Sequence, residues 1–251
     1  MHRRRTALVI SALAASLLLA ACGTSTASNA PGDTGSAATP GGQATPAATA
    51  TVTQGPTATL GNIGGAATGL SNLSSYKVTM SGSGGTGPFS VELIRINGAS
   101  PALSMTEIAG SVSFRVIEIG TDNWVDTGAG VYVKNSMPSS SLDAMLGAFD
   151  PGRIFSSTNA SQDLSGLENK GVESKNGVQA IHLHGDSSTP LPAGASPIPA
   201  GASVDLWVAA DGGYLVALEA VGLSSASGAL TSFTIEITNI NDPSLTVAPP
   251  S

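Results

Sequence analysis

In a chain of 251 residues, 17 acidic side chains face 10 basic ones, and three of those ten are Arg3, Arg4 and Arg5 at the extreme N-terminus. Such a balance excludes the basic face that nucleic acid or a polybasic membrane patch requires. Only 11% of residues are charged and 4% aromatic, which borders on a disordered composition, yet alternating Val, Ile and Leu after Tyr76 supply a core for one domain of ordinary size.

Arg3-Arg4-Arg5 precede an apolar run over 7–19, and Leu19-Ala20-Ala21-Cys22 closes it. This is the layout of a secretory signal. Its end resembles a bacterial lipobox, a large aliphatic residue followed by two small ones and Cys. The resemblance implies that residues 1–21 are removed and that Cys22 carries a diacylglyceryl thioether. The chain would then be held to a cell membrane on its extracytoplasmic face. The apolar run is about 13 residues, too short to span a bilayer comfortably. Cys22 is the only cysteine, so an internal disulfide and a cysteine-built metal site are excluded.

Residues 22–60 are mostly Ala, Thr, Ser, Gly and Pro, with Asp33 as the one charge. Nothing there can be buried or capped, and the segment reads as a disordered tether with an r.m.s. span of roughly 35 Å. Residues 61–251 form the single folded domain. Over 60–75 the apolar spacing fits one face of a helix weakened by Gly61, Gly64, Gly65 and Gly69. The period then changes to two, predicting strands over 76–80 and 89–96. Gly82, Gly84 and Gly87 between them spell Gly-x-Gly-x-x-Gly. A dinucleotide site needs a helix next; Pro88 and the strand-like Phe89 follow instead, so the glycines read as a hairpin loop.

Further strands are predicted over 102–108, 112–119, 123–126 and 131–134. A helix follows, with Ser139 to Ser141 as caps and Leu142, Met145, Leu146 and Phe149 as its apolar stripe. Strands resume over 167–174, 178–184, 204–209, 214–221 and 230–240. Asn176-Gly177 is a hairpin turn, and 187–201 is a Pro-rich surface loop. The expectation is a mainly β (α+β) domain: a half-open antiparallel barrel of about ten strands with two or three short helices. Several strands are apolar on both faces. Such a sheet either packs as a sandwich or curls around an apolar concavity.

From residue 60 onward the chain resembles the mycobacterial LppX/LprG-type lipoproteins of the wider LolA/LolB-like carrier fold. The resemblance is carried by Ser75-Tyr76-Lys77, Gly120-Thr121-Asp122-Asn123-Trp124, Asn176-Gly177 with Ile181-His182-Leu183, Val204-Asp205-Leu206-Trp207-Val208 before Asp211-Gly212, and Asn241-Asp242-Pro243. The chain departs from the family in lacking a Trp after the Tyr132 strand and in the length of the 187–201 loop. The resemblance implies a LolA-like barrel holding acyl chains. Its candidate cavity residues are Val91, Leu93, Met105, Phe114, Val116, Trp124, Met145, Phe149, Leu206 and Trp207. Both Trp residues, with Met145 and Phe149, read first as plain core and only second as cavity lining or lid.

Catalytic signatures are missing from the sequence. There is no Gly-x-Ser-x-Gly elbow, no His-Glu-x-x-His and no calcium-loop spacing. His182 and His184 share one strand face but have no signposted third metal ligand. Asp205 and Glu219 read as solvent-facing carboxylates. The expectation is a non-catalytic, membrane-anchored lipoprotein with no cofactor and no nucleic-acid partner. It would bind a lipid or acylated ligand, or else serve as a ligand-free envelope module that engages a partner protein.

Overall fold

Where every second residue is aliphatic, a strand gathers those side chains on one side, and that rule organises the domain. The computed structural model describes residues 63–84, 87–135, 142, 146–147, 149–151, 164–190, 197–223 and 230–250. The signal, Cys22 and the tether lie outside the described residues, as does Met145. Helix α1 (Ile63–Thr68) runs into a 3-10 turn over Gly69–Asn72, and eleven strands follow. The first six are β1 (Ser75–Gly84), β2 (Phe89–Ile96), β3 (Ala102–Ala109), β4 (Val112–Ile119), β5 (Asp122–Asp126) and β6 (Val133–Lys134). After a 3-10 turn over Leu164–Gly166 come β7 (Glu168–Lys175), β8 (Val178–Asp186), β9 (Ser203–Ala209), β10 (Leu215–Val221) and β11 (Leu230–Thr238).

All eleven strands form one sheet in the order β6-β5-β4-β3-β2-β1-β11-β10-β9-β8-β7. Every neighbouring pair is antiparallel. The predicted mainly β, half-open architecture of about ten strands is therefore present. Two boundaries need correction. The strand expected over 131–134 shrinks to Val133–Lys134, because Gly128 and Gly130 adopt positive φ and their N–H groups turn to Asp126 Oδ1 at 2.9 and 3.0 Å. Gly82 and Gly84 belong to β1 rather than to the loop, since their backbone pairs with β11 up to Leu230.

Flat, ten strand spacings of about 4.8 Å would separate the sheet's edges by roughly 48 Å. Yet that face is buried all the way from Val125 near one edge to Ile181 near the other, more than α1 and one connection could cover on a flat sheet. The sheet curls, with its apolar face inside. β6 and β7 remain as free edges, and the chain between them must pass from one to the other. Leu142, Leu146 and Leu164 from that connection are buried in the same cluster, with Phe149 and Leu167 packed against it. The connection thus crosses the concave side. Leu142 and Leu146 are helical, on the stripe that the sequence predicts.

Ala66, Ala67, Leu70 and Leu73 from α1 and its 3-10 turn add to this cover. Gly69 lets the turn sit on β10: a Cβ there would stand 3.1 Å from Tyr214 Cα. Two asparagines clamp the joint into β1. Asn97 Nδ2 donates to Leu73 O at 2.7 Å, and Asn241 Oδ1 accepts from Ser74 N at 2.7 Å. At the β7–β8 turn, Asn176 (φ 54) and Gly177 (φ 78) are both left-handed, as a two-residue hairpin with the sheet's twist requires.

Ile235 is fully buried at the middle of the concave face, whereas Val221 at the end of β10 is half exposed. Ile235→Ala should cost about 2–5 kcal/mol in urea unfolding, and Val221→Ala within about 0.5 kcal/mol.

Candidate functional site

The strand registers stack the concave face in rows. One row runs Leu93, Val78 and Ile237 across β2, β1 and β11. The next runs Phe114, Glu107, Val91, Met80, Ile235, Leu218 and Leu206 across seven strands. Of the expected cavity residues, Val91, Leu93, Met105, Val116 and Leu206 are buried together on this face, and Phe114 and Phe149 pack against them half-buried.

Trp124 and Trp207 do not share that surface. Trp207 pairs with His182 and Ala217, and Trp124 with Ile117 and Lys134, all on the convex side. The sequence reading passed over Val78, Met80, Ile181, Leu183, Val208, Leu218, Ile235 and Ile237, which complete the concave cluster. Their period-two spacing was the available signal.

A cavity of about 140 Å³ lies between this face and the Leu146 segment. Leu93, Leu103 and Leu146 form its apolar wall, and Tyr76, Arg95, Glu118 and Asp150 its polar one. Burial, reinforced by Asp150 and partly opposed by Arg95, pushes the Tyr76 phenol up to about 12. Tyr76 is therefore a neutral hydroxyl at physiological pH. A more open groove of about 390 Å³ sits among the turns at the same end, against Val178, Gln179, Asp211, Tyr214 and Asn241.

At the opposite rim Phe89 and Phe233 stack with ring centroids 6.4 Å apart. Phe89 lies over Gly82, where a Cβ would stand 2.5 Å from its Cε1 and 2.8 Å from Ser232 O. That close approach is what the first glycine of the Gly-x-Gly-x-x-Gly string provides.

The convex face is polar and internally paired. His182 Nε2 and His184 Nδ1 both lie 2.8 Å from Asp205 Oδ1 on β9. Burial works against the Asp205 charge, but the two histidine hydrogen bonds outweigh it and hold the carboxyl below its ordinary value of 3.8. His182 stacks on Trp207 at 4.5 Å, and Lys175 Nζ sits 4.2 Å from the centre of the Trp207 ring. Lys175 also reaches Glu219 at 2.7 Å and Glu236 at 3.3 Å. Burial lowers its pKa, and these two carboxylates more than restore it. Among the described residues no group of three His, Cys, Asp or Glu side chains has the geometry to hold a metal. The histidine pair acts here as a clasp between β8 and β9.

No family model matches the sequence, and no curated protein matches it. Solved structures do. LprF from Mycobacterium bovis aligns over 75% of this chain and 95% of its own, with a TM-score of 0.45 and 16% identity. A LolA superfamily protein from Nitrosomonas europaea aligns over 73% of this chain and 93% of its own, with a TM-score of 0.25 and 13% identity. In the MucA/MucB complex of Pseudomonas aeruginosa the alignment covers 74% of this chain and 56% of that one, with a TM-score of 0.36 and 16% identity. With TM-scores below 0.5, these likenesses carry no argument about this chain.

Two outcomes follow from this geometry. Gly82→Ala should displace Phe89 or the β11 backbone and cost about 1–3 kcal/mol in urea unfolding. A carboxyl held low contributes stability above 3.8 that is lost as pH falls through its folded value. Between about pH 5 and about pH 3 the urea midpoint of the native chain should therefore fall further than that of Asp205→Asn.

Proposed function

We propose that this domain is a non-catalytic binding module that receives a hydrophobic ligand, such as an acyl chain, on its concave face. The observation that carries the reading is the continuity of that face: aliphatic side chains from β5 through to β8 form one buried cluster, covered by a few apolar groups of α1 and of the β6–β7 connection. Separating such a cover from such a face exposes a surface that water disfavours and a hydrocarbon matches. Arg95, Glu118, Asp150 and Tyr76 line a polar mouth at one end of that face.

We further propose that Cys22 is lipidated, so that the domain works at the extracytoplasmic face of a cell membrane. A diacylglyceryl group supplies two acyl chains, which suffice for stable anchoring where one is marginal. The tether gives the domain a reach of roughly 35 Å over that surface.

One observation favours a second reading. The cavity under Leu146 is about 140 Å³, below the roughly 300–1,000 Å³ typical of ligand pockets. A closed interior suits an envelope module that engages a partner protein through the same fold without a ligand. In the first reading, a long-chain ligand enters by displacing apolar cover.

Native mass spectrometry of the mature chain bearing Cys22→Ala, purified from a lipid-containing host without detergent, separates the two. The binding reading expects adducts of lipid mass that organic extraction removes. A clean apo mass that stays unchanged after incubation with mixed-lipid vesicles would leave the partner-protein reading. The same substitution should move the full-length protein out of the membrane fraction; retention through a high-salt wash would refute the anchor.

A further inference from the structure

The concave face carries one charge that the apolar reading does not use. In β3 the residues Leu103, Met105 and Glu107 alternate on the concave side, by their pairing with Arg95, Leu93 and Val91 of β2. Glu107 thus follows two leucine-sized apolar groups on the same side, at the point where the face meets the rim. It stands directly opposite Phe114 on β4 and Val91 on β2. Phe89 is its diagonal neighbour, two residues from Val91 on the rim side, within the reach of an aromatic ring across a strand pair.

Glu107 is half-buried, and among the described residues no hydrogen bond or ion pair meets its carboxylate. That sets it apart from the acids of the convex face, where Glu92, Asp205, Glu219 and Glu236 each have a cationic or histidine partner. Burial alone pushes its carboxyl above the ordinary range, with no compensating donor. A carboxylate in that position gains from any cation that reaches it, because the cost of its burial is already part of the fold. The half-buried rings of Phe89, Phe114 and Phe233 lie along the same rim. Aromatic faces beside a carboxylate form the surroundings that an ammonium group favours.

Building on the proposed binding of a hydrophobic ligand to this face, we propose that the Glu107 rim is a subsite for an ammonium head, so that the module selects cationic amphiphiles over neutral or anionic ones. Glu107 supplies the ion pair and Phe114 a ring face, while the ligand's chain runs down the row that begins at Val91. An anionic head meets the Glu107 charge with nothing basic beside it on β2, β3 or β4 at that level, since Arg115 points to the convex side, opposite Asp126.

The test uses the mature chain bearing Cys22→Ala and three probes of one chain length: decylammonium, decyl maltoside and decyl sulfate. Each is titrated calorimetrically below its micelle concentration. Decylammonium should bind about tenfold more tightly than decyl maltoside, and decyl sulfate more weakly than both. Glu107→Gln should abolish the ammonium preference and leave decyl maltoside affinity unchanged. Because the chain is acidic overall, this variant also separates a local pairing from general attraction to a negative protein. Phe114→Leu keeps an apolar side chain on the face, and should lower decylammonium affinity more than decyl maltoside affinity, narrowing the preference between them. It serves as the deciding variant if Glu107→Gln fails to fold. An ammonium preference that persists in the folded variant overturns the Glu107 subsite, as does equal binding of all three probes by the native chain. In both cases decyl maltoside binding leaves the hydrophobic-ligand reading standing. If no probe binds, that reading falls and the subsite with it.

Discussion

A wide antiparallel sheet that is apolar on one side must hide that side from water, and the rest of this domain follows from how it does so. Side chains from β2 to β5 and from β8 to β11 meet in one cluster only because the sheet curls on itself. Full closure would require pairing β6 with β7, and β6 has two residues to offer. The sheet stays open, and the chain uses the length between those edges to cross the gap it leaves. Leu142, Leu146 and Leu164 from this connection are buried on the face, and Phe149 packs against them. The hydrophobic effect thus accounts for curvature, opening and cover together.

The convex side solves a different problem. Its strands carry a second, small cluster of Ala180, Trp207, Ala209, Val216 and Ala217, surrounded by groups that pair with one another. Lys175, Glu219 and Glu236 bridge the β7–β8 turn to β10 and β11, and Asp205 bridges the two histidines of β8. Isolated surface ion pairs contribute little, but here several share partners with an indole that is itself nearly covered. Their effect is to fix strand neighbours and cover that small cluster with paired polar groups.

Much of this was legible in the residues. The β7–β8 turn announced itself through Asn176-Gly177, whose positive φ angles only such residues adopt readily. Strand locations followed from the period of two, and the central helix from the Leu142 and Leu146 spacing. What the sequence could not settle was which side each strand turned inward. Where both alternating sets are apolar, as in 214–221, parity is decided by the partner strand, and a partner is not visible in a single chain. Trp124 and Trp207 were misplaced for that reason. Glu107 escaped notice for the converse one: in Met105-Thr106-Glu107-Ile108 a carboxylate invites assignment to solvent, yet its strand turns it inward with Met105 and sends Ile108 out. Asp205 could be recognised as the histidines' companion only once β8 and β9 were known to be adjacent.

The pairing of β1 with β11 has a consequence for how the molecule comes into being. On either side of that seam lie meanders of sequential hairpins, β1 to β6 and β7 to β11, each able to assemble from neighbours in the chain. The seam joins residues about 160 positions apart, as in Lys77 with Thr238, and such contacts carry the largest loop-closure cost. A chain made N-terminus first holds its opening meander with one edge of β1 unmatched until β11, the last of the eleven strands in chain order, is in place. That strand unites the two halves, and the sheet is complete only with it.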